Sequence, residues 1–376
     1  MLNAFVLPVS VVMKFWHWLT ASVFGMDNSA AWVLSIVLLV VTIRTILVPF
    51  TWTMTKSGRI GILMRPERAA ITEKYAEATS PEDVAAERQE LKELQKRYGY
   101  NLAAGCVPLL IQVPMFLGLY RLLLWLAVPQ PGQGPTVGVL SAEELDQFRQ
   151  AELFGVPLPA FIAMTDDQFA ALGTTSEEVN QVAYKLLLTA IVFTTANMIV
   201  SIARSKSQID WTQAAARGAH KFLVSMAFFT PFMLLMIGAT GPIPVALIFY
   251  WVCNNLWTAA QTLIMWFAAV KKFPLDQEHL DYAAQSKEAF FAERRAMKEQ
   301  KRSRRQRQAA ALVKPGSAGD IRRELKAEKE AEQAAKLEEK ARKKAIAKEK
   351  TRVRAEAIKK AREERQQKKL NDDQME

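Results

Sequence analysis

The sequence predicts an all-α integral membrane protein with a basic tail, on three observations. Long apolar stretches recur along the chain, and one of them, 222–270, contains no Asp, Glu, Lys or Arg. Lys and Arg gather in alternate connecting segments. The whole formal charge of +11 falls in 271–376, where 31 basic residues stand against 20 acidic ones, while 1–270 holds 18 of each. A length of 376 residues suggests two or three soluble domains. Yet half the residues are hydrophobic, 23% are charged, and the two kinds are segregated.

The N-terminal segment 1–30 comes first. Within it, 9–24 (VSVVMKFWHWLTASVF) is apolar but short and aromatic for a span, and it lacks the basic leader and A-x-A-like site of a signal peptide. It is expected to form an amphipathic helix on the outer face, with Trp16 and Trp18 at headgroup depth. No Cys lies near the start to carry a lipid anchor.

A crossing helix needs about 20 mostly apolar residues. The stretches 31–50, 103–128 and 182–203 qualify. The uncharged 222–270 is too long for one span and breaks at the turn-forming run 238–244 (GATGPIP), giving spans near 222–239 and 243–269. Loop charge sets their direction. Segment 55–100 carries nine Lys/Arg, 204–221 carries four and the tail 31, whereas 129–181 has only Arg149 among eight carboxylates. The basic segments therefore face the cytoplasm, and the N-terminus, 129–181 and the 238–244 turn face outward. The body 31–270 is thus a five-span core.

Residues 56–100 read as a cytoplasmic helical hairpin. Ser80-Pro-Glu-Asp83 supplies an N-cap, a proline at the first helical position and acids in the first turn, and Gly99 supplies a stop. A plain charged connector is the simpler alternative, although 45 residues exceed what a connection needs. The tail, 271–376, is rich in Ala, Glu, Lys, Arg and Gln and breaks at Pro315-Gly316. Residues 321–369 fit a solvated helix or a disordered chain equally. Such a tail suits ribosomal RNA or anionic lipid, or is simply a solvated charge run.

Inside the spans the polar residues are few. Arg44 lies about 18 Å from the outer start of the first span and about 9 Å from its inner end. An arginine there is costly unless hydrated or paired, which makes it a functional candidate; snorkelling to the cytoplasmic headgroups is the alternative. Gln112, Asn197, Asn254, Asn255 and Gln261 can each serve as ordinary interhelical hydrogen-bonding groups. Cys106 and Cys253 sit in apolar runs as small buried hydrophobes, and His17, His220 and His279 show no metal-ligand spacing. No carboxylate pair, activated nucleophile or phosphate-cradling loop appears, so neither an enzyme nor a cofactor is expected.

Four segments, in order, resemble the YidC/Oxa family of membrane protein insertases: IRTILVPF at 43–50, LQKRYGYN at 94–101, AAGCVPLLIQVPMFLGLY at 103–120 and PVALIFYWVCNNLWTAAQ at 244–261. The likeness covers roughly 30–270, leaves out the tail, and is closest to an actinobacterial form. It implies five helices around a hydrophilic groove that opens to the cytoplasm and sideways to lipid. By that resemblance Arg44 sits in the groove of a bacterial plasma-membrane protein. Gln112 and Asn255 are expected to line it, and Met115, Phe116, Tyr120, Tyr250 and Trp251 to offer adaptable apolar contacts to a passing segment. Since no span carries an acidic residue, water is the expected partner of Arg44. The partners implied are nascent membrane proteins, the ribosome, the Sec translocon, the signal recognition particle pathway and anionic lipids. A small-solute channel or secondary transporter is the rival class, opposed by the absence of internal repeats and of paired broken spans.

Overall fold

A computed structural model describes residues 3–101, 107–127, 136–313 and 318–373. Helices dominate it. They are α1 (Asn3–Trp18), which runs into a π-helical turn (Leu19–Val23), then α2 (Asn28–Leu63), α3 (Arg65–Lys74), α4 (Pro81–Tyr98), α5 (Val107–Ala127), α6 (Ala142–Gln150), α7 (Asp166–Ala171), α8 (Ser176–Gln208), α9 (Ala214–Thr240), α10 (Val245–Lys272), α11 (Gln277–Val313) and α12 (Ala318–Asp373). Two short strands, β1 (Glu152–Leu153) and β2 (Val156–Pro157), pair antiparallel. The chain forms two compact units, Met1–Arg59 with Asn101–Pro274 and Ile60–Tyr100 with Leu275–Glu376.

Among the described residues, four helical stretches are long and apolar enough to cross a membrane: Val6–Val23, Asn28–Leu63, Ser176–Gln208 and Ala214–Thr240. The first of these is a departure from expectation, because the N-terminal segment is helical over a full span length. Helix α10 is comparably long but is not among the four, and Asn254, Asn255 and Gln261 interrupt its apolar run. The described apolar part of α5 runs over Phe116–Trp125. The break before α10 follows the residues there: α9 stops at Thr240, Gly241 caps it, and Pro244 precedes the first turn of α10.

The first unit has one apolar core, built from α1, α2, α5, α8, α10 and the segment 137–175. That segment is a small folded cap. Three capping boxes, Ser141/Glu144, Thr165/Gln168 and Thr175/Glu178, start α6, α7 and α8. The β1–β2 hairpin turns at Phe154 and Gly155, both at positive φ (55° and 80°). Two backbone amides at the start of α10 donate to the cap, Val245 to the Ala160 carbonyl at 2.8 Å and Ala246 to the Leu158 carbonyl at 2.9 Å. These would otherwise be orphan donors of a helix start.

Helix α1 turns its polar stripe inward. Ser10 Oγ accepts from the Val139 amide, the Lys14 ammonium pairs with Glu144 at 2.8 Å, and the His17 ring stacks on Trp32 at 3.9 Å. Leu7, Val11, Phe15 and Trp18, at helical spacing, are exposed. Trp16, expected at headgroup depth, instead donates its indole N–H to Thr42 of α2 at 2.9 Å.

In the second unit, α3 and α4 form an antiparallel hairpin. Its second helix starts at Ser80, whose Oγ accepts from the Asp83 amide at 3.1 Å, and ends at Gly99 with φ +63°. Glu67 pairs with Arg97, and Glu90 accepts from both Lys74 and Tyr75. Helices α11 and α12 pack together through Arg304 and Arg307 on Glu328 and Glu332.

Candidate functional site

Helices α2 and α10 run parallel and are bridged by long polar side chains at three levels. Arg44 Nε donates to Asn254 Oδ1 at 2.7 Å, Gln261 Nε2 donates to Thr51 Oγ1 at 2.7 Å, and Arg59 Nε donates to the Phe273 carbonyl at 2.9 Å. Arg44 to Thr51 and Asn254 to Gln261 are both seven-residue steps, two helical turns on each helix, which keeps the pairs in register. Bridges of this length hold two helices together without close backbone contact, and that leaves room beside Arg44.

A cavity of about 440 Å³ occupies that room. Arg44 comes from α2, Val113, Phe116 and Leu117 from α5, Leu234, Ile237 and Gly238 from α9, and Leu247, Tyr250, Trp251 and Asn254 from α10; Ile243 closes the edge. The lining is apolar apart from Arg44, Asn254 and the polar atoms of Tyr250 and Trp251. Gly238 allows the close packing here, since a Cβ on it would meet the Leu187 side chain of α8 at 2.5 Å.

The structure therefore brings together Arg44, Phe116, Tyr250 and Trp251 of the residues singled out from sequence. Tyr120 packs against the apolar core and does not line the cavity. Asn255 is 6% exposed and turned onto α8, accepting from Asn197 Nδ2 at 3.1 Å and donating to the Trp251 carbonyl at 3.0 Å. The side chains of Gln112 and Met115 lie outside the described residues, as does Cys106. The partner of Arg44 in the structure is Asn254, which sequence reasoning placed only among the interhelical groups. Spacing does not separate the two asparagines, since Asn254 is four residues beyond Tyr250, Asn255 is four beyond Trp251, and both aromatic residues line the cavity.

An apolar pocket with one cation held by one amide suits a mostly hydrophobic segment carrying a carboxylate or free carbonyl. Among the described residues no group of His, Cys, Asp or Glu is placed to hold a metal ion.

A helical protein of this kind, with several span-length apolar helices around an intramembrane arginine, defines a class of integral membrane proteins. Within it, the family described as 60Kd inner membrane protein matches residues 24–272, which is more than half of the chain, and the protein belongs to that family. It is similar to proteins named membrane protein insertase YidC from Corynebacterium efficiens, 39% identical over 325 residues (85% of this chain and 82% of the relative), and from Corynebacterium glutamicum, 38% identical over the same length (85% and 77%). The likeness to the protein of that name from Mycobacterium tuberculosis strain H37Rv is 31% over 267 residues (68% and 69%). Residues 1–272 are under three quarters of the chain, so an 85% match includes part of the basic tail. The family match over 24–272 agrees with the expected 30–270, and the likeness to the corynebacterial proteins extends beyond it.

Proposed function

We propose that this protein is a membrane protein insertase of the bacterial plasma membrane: it inserts newly made integral membrane proteins and helps them fold. The observation that carries the reading is the Arg44–Asn254 pair inside an otherwise apolar cavity between span-length helices, in a chain of this family. Unsatisfied polar groups entering hydrocarbon cost several kcal/mol each. A polar-edged cavity partway across shortens that path. Arg44 attracts acidic residues of a segment that must cross, while Phe116 and Trp251 accept its apolar side chains, and the segment then leaves sideways into lipid. Phe116 is 42% exposed and sits at the rim. In this reading the cavity is the closed form of a groove open to the cytoplasm, and insertion requires neither a nucleotide nor covalent chemistry.

The topology proposed with it has five core spans, the N-terminus outside and the tail inside, with α1 in the outer interface. The tail tethers ribosomes through ribosomal RNA and anionic lipid, and substrates arrive through the signal recognition particle pathway, with or without the Sec translocon.

Purified protein in liposomes tests the reading. Insertion of a single-span protein with an acidic translocated tail is expected to fall strongly with Arg44→Ala and Arg44→Glu and to recover in part with Arg44→Lys, because charge matters more than the guanidinium fork. A photo-crosslinker at Phe116 is expected to capture a stalled substrate. Full activity of Arg44→Ala with no crosslink, or solute flux in place of insertion, overturns it.

A further inference from the structure

The cap carries one residue that its own turn does not favour. Phe154, at the tip of the β1–β2 hairpin, holds φ 55° and is 74% exposed. Among the described residues it is the one non-glycine at positive φ. A bulky residue is an outlier there, and a two-residue hairpin prefers Asn or Gly. Leu153, Val156 and Leu158 of the same hairpin are buried in the core, whereas the Phe154 ring stands clear of it. Strain combined with an uncovered aromatic ring points to a contact outside the hairpin.

Hydrogen bonds fix the height of the hairpin against two long apolar helices. The Glu152 amide donates to Ser29 Oγ at 3.0 Å, and Asn28 Nδ2 donates to the Gln147 carbonyl of α6 at 2.7 Å. Both bonds hold this part of the cap at the first turn of α2. On the other side the Leu158 carbonyl, next after β2, holds the Ala246 amide at the start of α10. Ser29 is two residues, about 3 Å, from the apolar stretch that begins at Ala31. The headgroup layer is about 5–8 Å deep on each face of a bilayer, so β1 starts within it. Val23 and Phe24, in the turn before α2, are exposed at the same end. The exposed charge there is acidic: Asp27, Asp146 and Glu152 stand against Arg149, which pairs with Asp146.

We propose that the β1–β2 hairpin is a membrane anchor. Phe154 lies in the lipid headgroup layer, with Phe24 as a second contact, and ties the cap to the bilayer surface. The inference rests on the five-span reading, in which the ends of α2 and α10 that carry the cap reach one membrane face. Aromatic rings are favoured at that depth. The acidic surroundings repel anionic headgroups, so apolar partition carries the contact and zwitterionic lipid suffices for it.

The test uses the full chain, with Cys106→Ala and Cys253→Ala, in phosphatidylcholine nanodiscs. A nitroxide on Glu152→Cys, two residues from Phe154 on the same strand, reports depth through its collisions with oxygen and with a water-soluble nickel chelate. Oxygen concentrates in apolar surroundings and the chelate in water, so the oxygen-to-nickel ratio is expected at least about threefold above that of a label on Glu93→Cys, exposed on α4. Phe154→Asn, which suits the turn, should bring the ratio down towards the Glu93 value, and Phe154→Trp should keep it high. A label on Ile46→Cys, exposed midway along α2, reads the spanning topology by itself. A lipid value at Ile46 with a water value at Glu152 overturns the anchor alone; water values at both overturn the five-span reading. A ratio at Glu152 that Phe154→Asn leaves unchanged overturns the anchor as well. So does one that rises when a third of the lipid is phosphatidylglycerol, since that marks an electrostatic contact. Dipolar broadening between labels on two copies assigns the tip to a partner chain and overturns it too.

Discussion

At the scale of single residues, two adjacent asparagines do different work. Asn254 holds the Arg44 guanidinium at the cavity, and Asn255 joins α10 to α8 through Asn197. Asn254→Leu is therefore expected to lower insertion with little change in thermal stability. Asn255→Leu is expected to lower stability by roughly 0.6–1.7 kcal/mol, the range for interhelical hydrogen bonds in membranes, and to spare activity in what remains folded. Melting curves and liposome insertion on the same preparations check both; the reverse pattern would mean the cavity is misassigned. Glu144 gives a pH dependence. Burial pushes its carboxyl up, but hydrogen bonds from Lys14 and Ser141 outweigh this and hold it below the usual range. Its stabilising contribution is thus complete above the unfolded value of about 4.3 and fades as pH falls through the lower native value. Hydrogen exchange in α1 should accelerate over that acid range, and Glu144→Gln should abolish the dependence.

At the scale of elements, local chemistry was legible and rotation was not. Ser80, Pro81 and Gly99 bound α4, and Pro244 precedes α10, because caps and breaks are written within four residues of where they act. Which face of α10 meets α2 is not written that way. Its apolar residues run nearly all round the helix, so neither Asn254 nor Asn255 stands out by pattern, and the choice is made by helices 200 residues away. The contact of α12 with Glu87 of α4, made by Lys350 and Arg354, was illegible for the same reason of distance, and the tail alone fits a helix or a disordered chain. Two turns carry expectations of their own. At Gly138 (φ +61°) a Cβ would lie 2.1 Å from Ser10 Oγ, so Gly138→Ala is expected to cost about 1–3 kcal/mol and loosen α1 from the cap. Phe154 holds φ 55° while 74% exposed, and a two-residue hairpin favours Asn at that position. Phe154→Asn should raise the melting temperature of the cap; a decrease would show that the ring makes a contact the monomer lacks.

At the scale of the whole molecule, the sequence carried the helical membrane class and the segregation of charge, because composition is a sum over many residues and survives errors at any one. It understated the N-terminal helix, since a polar stripe of Ser10, Lys14 and His17 that turns onto the protein reads, in sequence, as a shortfall of hydrophobicity. Topology has a direct check. Asp146 on the cap and Glu93 on the hairpin are both exposed. In a background without Cys106 and Cys253, a membrane-impermeant maleimide applied to intact cells should label Asp146→Cys and not Glu93→Cys; the opposite result inverts the orientation. The two amides of α10 held by Leu158 and Ala160 have a wider consequence. They act as an axial stop: the cap sets the height at which Tyr250 and Asn254 stand opposite Arg44, as a collar sets the depth of a piston. Lengthening the cap between Pro157 and Phe161 by one residue leaves every cavity side chain in place in the sequence, yet it shifts one wall against the other, so a lesion in the cap can silence a site whose lining it never touches.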